Sequence, residues 1–116
     1  MAISGEFLAY VLDQLRGVGG VTSKRMFGGA CLFHYGKAFA VIAADVFFLK
    51  VDDTNRADFT SRGMEPFRPF VDKNYVMSYY EVPAEVLEDM DELALWANKA
   101  IAVAEKTAKS KRKKNK

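Results

Sequence analysis

The 116-residue chain has one cysteine, one histidine and three prolines. Cys31 has no second cysteine to bond, which excludes an internal disulfide and any thiolate-rich zinc site within one chain. His34 is the sole histidine, so no histidine-based metal cluster forms within one chain either. Cys31 and His34 stand three positions apart in a strand-like run. That odd spacing sends their side chains to opposite faces and argues against a Cys–His nucleophilic pair. Cys31 reads instead as a small buried apolar residue. No apolar run approaches the roughly 18 residues of a membrane span. The start, MAISGEFLAY, lacks the charged and long apolar regions of an export signal. The expectation is a cytoplasmic protein with no metal, no cofactor and no membrane partner.

What is present is a core. Half of the residues are hydrophobic, enough for one domain of this length. The net charge of +2 conceals an asymmetry. Residues 106–116, KTAKSKRKKNK, hold seven bases and no acid, whereas residues 1–105 carry ten bases and all fifteen acids, a net of −5. The division is therefore an acidic body over 1–105 and a basic tail over 106–116. The tail has too little apolar surface to fold alone and reads as disordered. It is either a solubilising extension or a loose phosphate binder through Lys109, Lys111, Arg112, Lys113 and Lys114.

Apolar spacing lays out the elements. Phe7, Leu8, Val11, Leu12 and Leu15 form one helical stripe after Ser4, and Gly17, Gly19 and Gly20 end it. Three strand-like runs follow, over about 23–35, 38–43 and 46–51, joined by turns at Gly36-Lys37 and Ala44-Asp45. Asp52-Asp53 offers a helix cap, and Gly63 closes the short helix it starts. Pro66 and Pro69 hold the next segment extended at a sheet edge. Residues 75–82, YVMSYYEV, read as a further strand. Pro83 opens the last helix, whose apolar positions are Val86, Met90, Leu93, Ala97, Ile101 and Ala104. Acids crowd its start and lysines its end, as the helix dipole favours.

The order α-β-β-β-α-β-β-α predicts an α+β, two-layer sandwich: an antiparallel sheet of about five strands with helices on one face. Such a sheet normally turns polar residues to its other face. Here neither side of the second and third runs is polar. Alternation places Phe39, Val41 and Ala43 opposite Ala38, Ala40 and Ile42, and Phe47, Leu49 and Val51 opposite Val46, Phe48 and Lys50. Ile42, Phe48 and Lys50 are the candidate protein-interaction face. Its occupant is a partner or a second copy in a homodimer, or the short helix and the segment from Pro66 to Phe70 cover it.

Few residues suggest chemistry. Gly28-Gly29, in RMFGGACLF, matches neither the Walker nor the dinucleotide pattern and precedes a strand, so a bulge that bends a long strand is expected. Asp52-Asp53 fits helix capping better than a metal site. Lys24, Arg25 and Lys37 interleave with Phe27, Phe33 and Tyr35, as single-strand binders do, but the acidic body opposes a broad phosphate face. Trp96 is expected against the sheet. No nucleophile, base and oxyanion donor come together, so an enzyme is not expected.

Several separated blocks resemble the N-terminal domain of the TfoX/Sxy family of bacterial competence regulators. They are Arg25-Met26-Phe27-Gly28-Gly29, Lys50-Val51-Asp52, Asn55-Arg56, Ser78-Tyr79-Tyr80 and Pro83, and the resemblance covers about residues 4–105. The resemblance implies a secretion-chaperone-like fold and structural roles for Arg25, Phe27, Gly28, Gly29, Asp52, Asn55, Arg56, Tyr79, Tyr80 and Pro83. It also implies transcription regulation through the cyclic-AMP receptor protein or RNA polymerase, with no catalytic residue. Full-length members carry a second helical domain where this chain has its lysine tail.

Overall fold

A computed structural model describes residues 5–26, 29–67 and 78–114, the side chains of 26 and 109–114 excepted. Helix α1 (Gly5–Gln14) leads into strands β1 (Val21–Met26), β2 (Gly29–His34), β3 (Lys37–Ala43) and β4 (Val46–Lys50). Helix α2 (Arg56–Thr60), strand β5 (Tyr79–Glu81) and helices α3 (Ala84–Leu87) and α4 (Met90–Lys114) follow. The five strands form one antiparallel sheet in the order β1-β2-β3-β4-β5. The fold is α+β, as the element pattern predicts.

The helices cover one face of the sheet. Val11 of α1, Leu15 just after it, Phe59 of α2, Val86 of α3, and Leu93, Ala97, Ala100, Ile101 and Ala104 of α4 join a single core with Ala30, Leu32, Ala40, Ile42, Phe47 and Leu49. Each large side chain buried there contributes about 1.5–3 kcal/mol. Trp96 packs edge-on against Phe59 at 4.8 Å, and Phe59 in turn lies 5.8 Å from the ring of Tyr80.

Three details depart from the sequence reading. The first run is two strands, not one. Its halves pair from Val21↔His34 to Met26↔Gly29, so the chain reverses between Met26 and Gly29. Gly29 thus starts the second strand of a hairpin rather than sitting at a bulge; Phe27 and Gly28 lie outside the described residues. Gly29 is required by proximity: a Cβ there would be driven into the Ile42 carbonyl oxygen.

The bulge sits elsewhere. Register shifts between Leu32 and Phe33, which pair with Ala40 and Ala38, so Phe39 is the extra residue. Phe39 therefore joins Ala40 and Ile42 in the core instead of sharing a face with Val41.

The third departure concerns the last helix, which is two. Helix α3 ends at its C-cap Glu88, and Asp89 starts α4, its Oδ1 accepting from the Asp91 and Glu92 backbone N–H groups at 3.1 and 3.2 Å. Helix α4 then runs to Lys114.

The hairpin turns are tight. Tyr35 (φ 49°) and Gly36 (φ 84°) turn the chain between β2 and β3, one residue before the expected pair. Ala44 (φ 52°) and Asp45 (φ 59°) do so between β3 and β4. Positive φ at both central residues matches the right-handed twist of the flanking strands.

Candidate interaction face

Cross-strand pairing fixes which residues share the face away from the helices. Cys31 pairs with Val41, Val41 with Phe48, and Phe48 with Glu81; beside them Lys50 pairs with Tyr79. Lys24 of β1, opposite Cys31, completes the row at the sheet edge. Ile42 is not part of it. Its partners are Ala30 and Phe47, and it is 1% exposed beneath the helices. The expected trio of Ile42, Phe48 and Lys50 is corrected to Phe48 and Lys50 with Val41 and Cys31. Alternation holds from Ala40 to Ala43; the bulge turns Phe39 to the helix side with Ala40 and Ile42, and the pairing of Ile42 with Phe47 sets Ile42 apart from Phe48.

Phe48 is no open contact either. It is 8% exposed and packs at 4.6 Å on the ring of Phe67. Backbone bonds bring Phe67 there: its N–H donates to the Tyr79 carbonyl at 2.7 Å, the Glu81 N–H donates to Glu65 at 3.2 Å, and Pro66 bridges to Tyr80. The extended segment after Gly63 thus takes the sheet edge beside β5, as its prolines suggest. The expected residues 75–77 of the last strand, with Pro69 and Phe70, lie outside the described residues. Cys31, Phe33, Val41 and Val46 are half-buried and give this face its apolar surface.

Two polar groups on the face are displaced from their ordinary titration. Tyr79 is buried, which pushes its phenol up to about 12, with the Cys31 thiol adding in the same direction. The Lys50 ammonium lies 5.1 Å over the Tyr79 ring. Burial also raises the Cys31 thiol, against the pull of Lys50, so Cys31 is a half-buried thiol and not an activated nucleophile.

The remaining block residues build the joint from β4 to α2. Asn55 is the one buried polar residue among those described, at 2% exposure. Its Oδ1 accepts from the Asp52 N–H at 2.9 Å and its Nδ2 donates to the Lys50 carbonyl at 3.1 Å. Asp52 does not cap α2. Its Oδ1 accepts from the Thr54 N–H at 2.8 Å in a local turn, and its Oδ2 meets Lys106 Nζ at 2.7 Å. The hydrogen bonds from Lys106 and Thr54 hold the carboxyl at about 2. Arg56 pairs with Asp53 on the surface.

Arg25 is exposed on edge strand β1 near Gly5, Tyr80 packs on the helix side, and Pro83 precedes α3. The basic positions 109–114 continue α4 in backbone; their side chains lie outside the description. Sequence reasoning missed Val41 as a face residue and Asn55 as a joint. A signal for Asn55 existed in DDTNR, where an amide follows a turn-forming aspartate pair and precedes a helix.

A model of the TfoX N-terminal domain matches residues 13–104. The chain belongs to the TfoX N-terminal domain family. No curated protein matches it. In this TfoX N-terminal domain the matched blocks fall at structural places: the β1–β2 hairpin, the Asn55 joint, strand β5 and the start of α3. Among the described residues, no helix is long and apolar enough to cross a membrane, and no three acidic, histidine or cysteine side chains gather as a metal site.

Proposed function

We infer that this TfoX N-terminal domain is a non-enzymatic, cytoplasmic regulatory module that docks on a bacterial transcription protein through the sheet face away from its helices. The observation that supports this reading is the row Cys31–Val41–Phe48. It is apolar, it lies opposite every helix, and it is half-exposed at Cys31 and Val41. A soluble sheet face of that composition suits contact with protein better than with water. The family's association with competence regulation points to the cyclic-AMP receptor protein or RNA polymerase as the partner class.

The test is binding of the full chain to each purified protein by interferometry, with Val41→Glu alongside. Saturable binding that the variant loses, at unchanged melting temperature, supports the reading. No binding to either protein, or equal binding by the variant, sinks it. A second reading rests on α4 continuing to Lys114, which carries Lys109, Lys111, Arg112, Lys113 and Lys114 on a helix rather than a loose chain. Nucleic-acid binding through that end predicts loss of binding when residues 107–116 are removed, and affinity that falls steeply with salt.

A further inference from the structure

The row across the open sheet face ends in opposite charges. It runs Lys24–Cys31–Val41–Phe48–Glu81, one residue from each strand, with a base on β1 and an acid on β5. Both end residues are exposed, and the ion pairs among the described residues use neither of them. Glu65 brings a second exposed acid beside Glu81, whose N–H donates to the Glu65 carbonyl at 3.2 Å. The face is uneven as well. Phe67 sits on Phe48 at 4.6 Å and raises the β4–β5 half, whereas the row position on β2 is the small Cys31. One half is high and ends in acid; the other is low and ends in base.

We propose that this face pairs with the same face of a second copy, about a two-fold axis that runs along β3 between the two sheets. That operation reverses the row. Val41 meets the partner's Val41, Cys31 meets the partner's Phe48, and Lys24 lies opposite the partner's Glu81. The contacts recur on the other side of the axis, so both unpaired charges of each copy gain an opposite one. The high half of one copy lies on the low half of the other. An axis along the row would set base on base, acid on acid and high half on high half, which costs energy at both ends. Charge and relief therefore select a second copy as the occupant, and one direction for it.

The two sheets stack with their strands aligned, a common arrangement for sheets face to face. Cys31, Phe33, Val41 and Val46, half-buried in the single chain, leave water in the pair. The row is about 19 Å wide at about 4.8 Å per strand step, and the five residues of β4 run about 17 Å. A contact of this extent is at the small end of specific interfaces and corresponds to micromolar association. The exposed end charges set its direction more than its strength. The pairing stands on these contacts alone. Only its consequence rests on the docking reading above: a paired copy has no free face for a transcription protein.

Sedimentation equilibrium of the full chain, from micromolar to near-millimolar concentration, tests the pairing. The wild type is expected to pass from monomer to dimer. Lys24→Glu and Glu81→Lys each set like charges together twice and are expected to weaken association about tenfold or more. Both positions are exposed, so the melting temperature of each variant stays at the wild-type value. An equimolar mixture of the two restores opposite charges at both contacts and dimerises where neither variant does alone. Val41→Glu, on the axis, sets two carboxylates together and abolishes the dimer. A wild type that stays monomeric throughout, as cover of the face by its own chain gives, overturns the proposal. So does association that the two charge variants leave unchanged, or a mixture of them that stays monomeric. Binding of a transcription protein is read separately, below the concentration at which the chain pairs, so neither reading fails through the other.

Discussion

Replacing Asn55 tests whether the joint between sheet and α2 is held by one buried amide. Asn55 bonds two backbone groups from its buried position: the Asp52 N–H at 2.9 Å and the Lys50 carbonyl at 3.1 Å. Asn55→Ala removes both of these bonds in a site only 2% exposed. Each bond lost there costs about 1–3 kcal/mol, so the expected loss is about 2–6 kcal/mol. That is a large share of the roughly 5–15 kcal/mol that holds a domain together. Urea unfolding followed by the fluorescence of Trp96, the sole tryptophan, reads it as a midpoint lowered by about 1–2 M at unchanged slope.

Asn55→Asp separates the two bonds. The acceptor for Asp52 remains, but a carboxylate oxygen now faces the Lys50 carbonyl and a charge is buried. That folded-state pKa lies above the unfolded value of about 3.9. The deficit against wild type is therefore full at neutral pH. It shrinks as pH falls through the raised pKa, because the protonated acid donates again. An Asn55→Ala loss under about 0.5 kcal/mol, or an Asn55→Asp deficit that does not change with pH, refutes the reasoning.

Gly29→Ala is expected to cost about 1–3 kcal/mol, because its Cβ meets the Ile42 carbonyl, which belongs to a paired strand and has no room to yield. Gly36→Ala, at φ 84° with open space around it, is expected to cost only about 1 kcal/mol; thermal melts that reverse this ranking reject the clash. Asp52 is held at about 2, so its contribution to stability is complete above the ordinary carboxylate range and is lost as pH falls towards that value. Lys106→Ala is expected to raise the Asp52 pKa, read by carboxylate NMR titration. It is expected to cost about 0.2–1 kcal/mol near neutrality and nothing in strong acid, since the pair is largely solvated.

The elements were legible where a local rule acts alone. The stripe from Phe7 to Leu15, the αL turns near Gly36 and at Ala44-Asp45, and the Pro66 segment at the sheet edge follow from spacing and backbone sterics within a few residues. So does the α+β class, since short links between strands leave little choice but antiparallel neighbours. The family was legible too, and the match of the TfoX N-terminal domain model to residues 13–104 bears it out.

Which side of the sheet a residue takes was decided only in the tertiary structure. One extra residue at Phe39 turns Phe39 inward beside Ala40, and the pairing of Ile42 with Phe47 keeps Ile42 under the helices, away from Phe48. A period-two pattern in a strand rich in apolar residues carries no mark of where such a shift falls. The same holds for Phe67 over Phe48 and for Lys106 on Asp52, contacts between positions far apart in the chain. Composition and spacing determined that this chain builds one helix-backed antiparallel sheet. Strand pairing, which joins distant residues through backbone hydrogen bonds, decided which face that sheet offers to a partner.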